Sequence, residues 1–276
     1  MKSKFIFLSF LFVSFSAFSA KVDTVSTYSP SMQKDIKAVV ITPDAYNEKE
    51  QFPVVYLLHG YSGNYGNWIE GVPELQEYAD RFDLIIVCPD GNFGSWYLDS
   101  PKLEESKYET YVATELVSWI DERYSTLKSR NGRAISGLSM GGHGAFYLAF
   151  KHQEVFGMAG SMSGGVDLRP FPKNWDLEKL LGSYAENPEN WEKHSVINLT
   201  HKLRPGSLDI IFSCGTDDFF YEANVRLHEK LLYRNIPHTF ISAPGGHTLE
   251  FWADTVKYHL QFFSDKFEEK KLAEKQ

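Results

Sequence analysis

Cysteine is scarce in this chain, which contains only Cys88 and Cys214 among 276 residues. Two thiols exclude the dense disulfide framework of small secreted domains, and a chain of this length can bury its own hydrophobic core. Neither cysteine has the C-x-x-C or Cys/His spacing of a zinc ligand set. We therefore expect no metal site.

Basic runs and long hydrophobic runs are also missing. The formal net charge is −8, which argues against nucleic acid or an anionic membrane surface as a partner. The apolar run at residues 5–15 is too short to anchor stably in a bilayer. It follows Lys2 and Lys4 and precedes small residues, so residues 1–19 are predicted to be a secretory signal peptide. We expect the rest of the chain to be exported to the periplasm or the medium.

Internal repeats and low-complexity linkers are not found either, and residues 20–276 are predicted to form one domain. The predicted strands are residues 37–41, 54–58, 84–88, 132–136, 157–161, 209–213 and 238–242. The predicted helices are residues 68–78, 108–124, 141–152, 222–235 and 248–266. Apolar strands alternating with helices indicate an α/β fold, with a mostly parallel central sheet and helices on both faces.

Residues 164–206 differ from the rest of the chain. The segment contains four prolines and four large aromatic residues. Long segments of this kind between core elements are often lids or walls of a substrate site. The alternative is a helical excursion that only covers the sheet, and the sequence leaves both open.

The sequence Gly-Leu-Ser-Met-Gly at residues 137–141 stands between a predicted strand and a predicted helix. Strand, G-x-S-x-G turn and helix together are the arrangement of a nucleophile elbow, which exposes a serine hydroxyl at the tip of a sheet. Such a tight turn strains the backbone at the serine, and side chains at positions 137 and 141 would collide with neighbouring elements. The pattern predicts Ser139 as a nucleophile.

A serine nucleophile needs a general base and an acid that orients the base. In elbow folds the acid and then the histidine follow the serine along the chain. His247 comes directly after the last predicted strand, so we predict it as the base. The acid should follow the preceding strand, where Asp217 and Asp218 are both candidates by placement. Adjacent residues point in opposite directions, so only one of them can reach the imidazole.

Acyl transfer also needs two backbone N–H groups that stabilise the developing oxyanion. One is the N–H of Met140, directly after the serine. The other should come from the loop at residues 59–63, after the strand at 54–58. His59 precedes the serine, so we expect it to support this loop by hydrogen bonding rather than to act as the base.

These motifs resemble, in the same order, those of the esterase D-like α/β-hydrolases. The matching stretches are YLLHG at 56–60, DGNFGSWY at 90–97, YETYVATEL at 108–116, GLSMGGHGA at 137–145, CGTDDF at 214–219 and PGGH at 244–247. The family includes feruloyl and acetylxylan carbohydrate esterases, tributyrin esterases, S-formylglutathione hydrolases and mycolyltransferases. The resemblance spans roughly residues 22–265 and implies the α/β-hydrolase fold.

The resemblance also implies roles for single residues. Ser139 matches the family's nucleophile and His247 its base. Asp218 occupies the fourth position of the family's G-T-x-D pattern, so the resemblance selects it over its neighbour as the acid. Tyr61 and Met140 match the oxyanion donors.

Trp96 and Tyr97 match an aromatic pair that lies near the acyl site in relatives, so we expect them to contact a small or planar acyl group. The alternative is that both rings pack the loop and touch no substrate. Together these features predict a secreted serine esterase that hydrolyses a short acyl or aryl ester, of the acetyl or feruloyl type, on a carbohydrate through an acyl-enzyme, without a cofactor. The alternatives are an acyltransferase, an S-formylglutathione hydrolase-like thioesterase and a catalytically silent glycan-binding module. The usual strand order of the fold separates Cys88 from Cys214, so both are predicted to be free thiols.

Overall fold

The computed structural model describes residues 20–273, and the predicted signal peptide lies outside the described residues. The strands are β1 (Lys21–Ser29), β2 (Lys34–Thr42), β3 (Val54–Leu58), β4 (Ile85–Pro89), β5 (Arg133–Gly137), β6 (Met158–Met162), β7 (Asp209–Gly215) and β8 (Thr239–Ala243). They form one sheet in the order β1-β2-β4-β3-β5-β6-β7-β8. The pairs β1–β2 and β2–β4 are antiparallel, and the other neighbours are parallel. The predicted fold class is therefore confirmed.

The helices are α1 (Asn67–Gly71), α2 (Leu75–Phe82), α3 (Tyr108–Thr110), α4 (Val117–Arg123), α5 (Met140–Lys151), α6 (Leu177–Leu181), α7 (Pro188–His194), α8 (Val196–Leu199), α9 (Tyr221–Tyr233) and α10 (Leu249–Ala273). A π-helical turn, Tyr111–Leu116, joins α3 to α4. The helix predicted at 108–124 is thus one helical segment with a π-helical centre. The helix predicted at 68–78 is instead divided into α1 and α2, because Pro73 disfavours helical geometry at the preceding residue.

Two hydrophobic cores cover the two faces of the sheet. Alternate residues of β3 point to opposite cores, so Tyr56 lies in one core with Phe146 of α5, whereas Leu57 lies in the other with Leu260 of α10. The strands β3 to β6 are buried along their whole length. This double burial explains why β3 (VVYLL) and β4 (IIVCP) are continuous apolar runs rather than alternating ones.

Strand β1 was not predicted from the sequence. It lies at the edge of the sheet, and its residues alternate between exposed and more buried positions. Only one face of such a strand needs apolar side chains, so its sequence, KVDTVSTYS, contains no apolar run. Its pairing with β2 became visible only in the folded structure.

The segment 164–206 contains α6, α7, α8 and a 3₁₀ turn, and it packs on the main body at several points. The side chain of Trp191 is fully buried, the Ser100 hydroxyl donates to the Leu180 carbonyl at 2.7 Å, and His143 Nε2 lies 2.8 Å from the His194 carbonyl oxygen. No helix within residues 20–273 is long and apolar enough to cross a membrane.

Candidate active site

The parallel strands end at one edge of the sheet, where the loops after β3, β5, β7 and β8 meet. Ligands of open α/β sheets bind at this edge, beyond the carboxyl ends of the strands. The loops carry Tyr61, Ser139, Asp218 and His247, respectively. Residues far apart in the sequence therefore converge on one site.

Ser139 occupies the turn between β5 and α5 with a backbone φ of 54° and ψ of −114°. Gly137 and Gly141 flank it as the sequence pattern requires. A Cβ atom on Gly137 would lie 2.5 Å from the Gly141 carbonyl oxygen, and one on Gly141 would lie 2.6 Å from the His59 carbonyl oxygen. Neither backbone can yield to a side chain, so the turn depends on both glycines.

Hydrogen bonds connect the serine, the histidine and one aspartate. Ser139 Oγ lies 2.8 Å from His247 Nε2, and His247 Nδ1 lies 2.8 Å from Asp218 Oδ2. Because a carboxylate only accepts hydrogen bonds, Nδ1–H donates to Asp218 and leaves Nε2 to accept the serine proton. This is the tautomer that a general base for Ser139 requires.

The two adjacent aspartates differ sharply in environment. Asp218 is buried, and its second oxygen accepts the Phe220 N–H at 2.8 Å. Asp217 is exposed, and its own N–H donates to the Gly245 carbonyl at 2.9 Å. Only Asp218 contacts the imidazole, which resolves the alternative that strand placement had left open.

The backbone N–H groups of Tyr61 and Met140 are the predicted oxyanion donors. Met140 is the first residue of α5, and Tyr61 follows Gly60, whose hypothetical Cβ would lie 3.5 Å from Ser139 Cβ. Within residues 20–273, neither the Met140 nor the Tyr61 N–H donates to a protein acceptor. Both donors are free to bind an oxyanion, and the N-terminus of α5 adds its positive partial charge.

His59 supports the loop that carries Tyr61 by hydrogen bonding, as predicted. It is buried, and its Nε2 accepts the Gly91 N–H at 2.7 Å. Its Nδ1 lies 2.8 Å from the Gly60 carbonyl oxygen, to which it donates. The imidazole thereby joins the loop after β3 to the loop after β4.

Trp96 and Tyr97 do not line the site as expected. Their exposed fractions are 1% and 0%, respectively. The Tyr97 ring lies against Gly91 and Gly144, and its hydroxyl donates to the His59 carbonyl at 3.2 Å. Trp96 donates to the Trp175 carbonyl at 3.3 Å. We correct the expectation accordingly: both rings pack inside the protein and support the loops around Ser139, without presenting surface to a substrate.

Other aromatic residues surround the site, and sequence reasoning missed them as a group. The Phe219 ring centroid lies 4.2 Å from that of His247, and Trp175 stacks on Phe219 at 5.6 Å. Trp252 meets His247 edge-on at 4.8 Å. Phe219 follows Asp218 directly, which is the one sequence signal that could have found it. Trp175 comes from the segment 164–206, so this segment contributes to the wall of the site.

Titratable side chains in the region show no metal-ligand geometry. Within residues 20–273, no three His, Cys, Asp or Glu side chains come together as a possible metal site. What the geometry supports is nucleophilic chemistry by a hydroxyl, a base and an orienting carboxylate, beside two free N–H donors.

Comparisons with known proteins agree with this fold. The family model described as "Putative esterase" matches residues 29–263. An acetyl esterase from Caldicellulosiruptor saccharolyticus is 28% identical over 269 residues, which cover 87% of this chain and 97% of the relative. The solved structure of a ferulic acid esterase shares 27% identity with a TM-score of 0.78, covering 91% of this chain and 99% of that one.

A further solved structure is an S-formylglutathione hydrolase from Agrobacterium tumefaciens, with 25% identity and a TM-score of 0.78 over 91% of this chain and 97% of that one. The family match spans most of the chain and confirms the resemblance seen in the motifs. The chain belongs to this esterase family of α/β-hydrolases and is a carboxylic ester hydrolase.

Proposed function

We propose that this protein is an exported serine esterase that cleaves a short acyl or aryl ester from a carbohydrate through an acyl-enzyme. The observation that carries the proposal is the hydrogen-bonded set of Ser139, His247 and Asp218 beside two free N–H donors. Each part of the set has a defined task in acyl transfer.

The reaction begins when Ser139 Oγ attacks the ester carbonyl and its proton passes to His247 Nε2. The N–H groups of Tyr61 and Met140 stabilise the negative oxygen of the tetrahedral intermediate. Asp218 holds the imidazole in place and stabilises its positive charge. His247 then protonates the leaving alcohol, which yields the acyl-enzyme. Water, deprotonated by His247, releases the acid and restores the serine.

The substrate class rests on the aromatic wall and on the relatives. Phe219 is 51% exposed next to His247, and Trp175 stacks on it. Flat aromatic rings provide an apolar surface for a planar acyl group. Relatives named acetyl esterase and ferulic acid esterase support acyl groups of these two kinds.

Export is part of the proposal because residues 1–19 have the pattern of a signal peptide. Expression of the full chain in a bacterium, followed by N-terminal sequencing, tests it. We expect the protein in the periplasm or medium with Ala20 as its first residue. Full-length protein retained in the cytoplasm would contradict export.

A substrate panel tests the proposed reaction. It comprises 4-nitrophenyl acetate, butyrate and octanoate, methyl ferulate, acetylated xylan and S-formylglutathione, with Ser139→Ala as the control. We expect turnover to favour the acetyl, feruloyl and xylan esters and to be lost in the control. Activity that rises steadily towards octanoate would indicate a lipase-like groove, and a strong preference for the thioester would favour a thioesterase.

The acyltransferase alternative predicts a different product from the same acyl-enzyme. Adding a sugar as an acceptor to the ester reaction distinguishes acyl transfer from hydrolysis. A transferase forms a new ester with the sugar, whereas a hydrolase releases the free acid. A silent binding module would hydrolyse none of the esters. We expect free acid as the main product.

A further inference from the structure

A cavity of about 200 Å³ is lined by residues of the loop after β4 and of α6, and two of its lining residues, Phe93 and Asp176, contact the side chain of Tyr61. Its lining includes the side chains of Leu103, Tyr108 and Leu180. Phe93 forms one wall and is 55% exposed. No step of the proposed reaction uses this space.

The cavity is connected to the oxyanion loop by direct contacts. The Phe93 ring meets the Tyr61 ring edge-on at 4.9 Å between centroids. The Tyr61 hydroxyl donates to Asp176, another lining residue, at 2.8 Å. The Phe93 carbonyl accepts the Ser62 N–H at 2.6 Å. A molecule in the cavity would therefore lie one side chain away from the loop that adjoins Ser139.

The rim of the cavity is polar and its charges balance. Lys34, Lys179, Glu105 and Asp176 all line the cavity, and Lys179 Nζ lies 2.8 Å from Asp176 Oδ1. Hydrogen bonds from Lys179 and then Tyr61 lower the pKa of Asp176, so this carboxylate is charged at neutral pH. Two positive and two negative groups offer donors and acceptors without favouring an ionic ligand of either sign.

The size and lining restrict the ligand. Pockets for drug-sized molecules span roughly 300–1,000 Å³, so this one suits a molecule with a single ring. An exposed aromatic wall combined with a rim of hydrogen-bonding groups suits a ring that has one apolar face and many hydroxyls. A pyranose has both properties.

We infer that this cavity binds one neutral sugar ring of the glycan that carries the scissile ester. The inference rests on the proposed function and extends it from the ester bond to a neighbouring part of the substrate. Bound there, the sugar orients the ester towards Ser139 through the Phe93 and Tyr61 contacts. The cavity thus contributes to the recognition of glycan esters and not to that of small aryl esters.

Filling the opening tests the inference. Glu105→Trp introduces a large ring at an exposed lining position, and Glu104→Trp is the matched control at an exposed neighbour outside the lining. The measurement is kcat/KM on acetylated xylo-oligosaccharides divided by kcat/KM on 4-nitrophenyl acetate. We expect this ratio to fall about tenfold in Glu105→Trp and to keep its wild-type value in Glu104→Trp. Equal ratios in both variants would overturn the inference.

Binding without turnover provides a second measurement. Calorimetry with xylotriose and the Ser139→Ala protein should detect saturable binding, which the added Glu105→Trp change should remove. Tighter binding of an oligosaccharide bearing a glucuronic acid would overturn the neutral-sugar assignment. A wild-type protein that hydrolyses neither acetylated xylo-oligosaccharides nor 4-nitrophenyl acetate would refute the proposed function. Hydrolysis of both, with the same kcat/KM ratio in Glu105→Trp as in the wild type, would refute only the assignment of this cavity to a sugar.

Discussion

Ser139 has a left-handed backbone conformation, with φ of 54°, that non-glycine residues rarely adopt. Such a conformation costs roughly 1–3 kcal/mol and persists only where the surroundings determine it. Here the Ser139 N–H donates to the Met162 carbonyl at 2.9 Å, and its carbonyl accepts the His143 N–H at 3.0 Å. The strain is therefore held by β6 and α5, and it keeps the hydroxyl at the tip of the turn.

At the same scale, Asp218→Asn should reduce kcat far more than Asp217→Asn. An amide at position 218 favours the wrong imidazole tautomer, a loss on the order of 10⁴ in a comparable triad. Asp217 is exposed, so its replacement should change kcat by no more than about twofold. Steady-state kinetics on one aryl acetate measures both, with melting temperatures as the folding control. A larger loss of kcat in Asp217→Asn than in Asp218→Asn would show that Asp218 is not the acid of the triad.

Among the elements, α3 and α5 are joined by one carboxylate. Glu109 Oε2 accepts hydrogen bonds from Tyr147 at 2.9 Å and Lys151 at 2.6 Å, and Oε1 lies 2.8 Å from His152 Nε2. Burial opposes the charge of Glu109, but the hydrogen bonds of His152 and Lys151 outweigh it and lower the pKa to about 2. The carboxylate stays ionised and holds the end of α5, the helix that begins directly after Ser139.

Glu109→Gln should lower the free energy of unfolding by about 1–3 kcal/mol, since the amide leaves partly buried donors without an ionised acceptor. The folded-state pKa is depressed, so the stabilisation is present above the ordinary carboxyl pKa of about 4.3 and is lost as pH falls towards 2. Urea unfolding at pH 7 measures the effect, with the exposed Glu104→Gln as the control. Equal midpoints for the two variants would contradict this account.

At the scale of the whole molecule, two buried imidazoles link stability to pH. Burial lowers the pKa of His143 to about 4 and that of His259 to about 3. His259 on α10 lies 3.1 Å from the Ser136 hydroxyl of β5 and 3.2 Å from the Ser213 hydroxyl of β7. Each imidazole is neutral when folded and binds a proton more readily when the chain unfolds.

The unfolded state thus binds more protons below its histidine pKa of about 6.5. We expect stability to fall as pH drops from 6.5 towards 4.5, by up to roughly 1.4 kcal/mol per pH unit for each imidazole. Urea unfolding across this range measures the slope, and His259→Gln should make it shallower. An identical slope in that variant would show that His259 titrates normally.

The strand order also decides the state of the cysteines. Cys88 in β4 and Cys214 in β7 are separated by three strands, and both thiols are free and buried. Burial raises the pKa of each thiol well above its ordinary value, so little nucleophilic thiolate forms. A thiol reagent should modify neither in the native protein and both after denaturation. A linked pair in mass spectrometry would contradict the strand order.

The elbow and the predicted strands of the central sheet could be read from the sequence because their causes are local. Two glycines around a serine, an apolar strand before it and a helix after it all act within about twenty residues. The order of serine, aspartate and histidine along the chain follows from the same fold. Position alone could not choose between Asp217 and Asp218, since the direction of a side chain in a loop depends on what the loop packs against.

Tertiary packing decided the rest. Trp96 and Tyr97 stand in a loop that borders the site, yet contacts with His59, Gly144 and Trp175 bury both rings. Phe219 lies beside His247 instead, and Trp175 from a distant segment stacks on Phe219. The cavity lined by Phe93 and Asp176 likewise joins β2, the loop after β4 and α6. No local sequence pattern predicts such contacts, because the burial of a side chain depends on how elements distant in the sequence pack against each other.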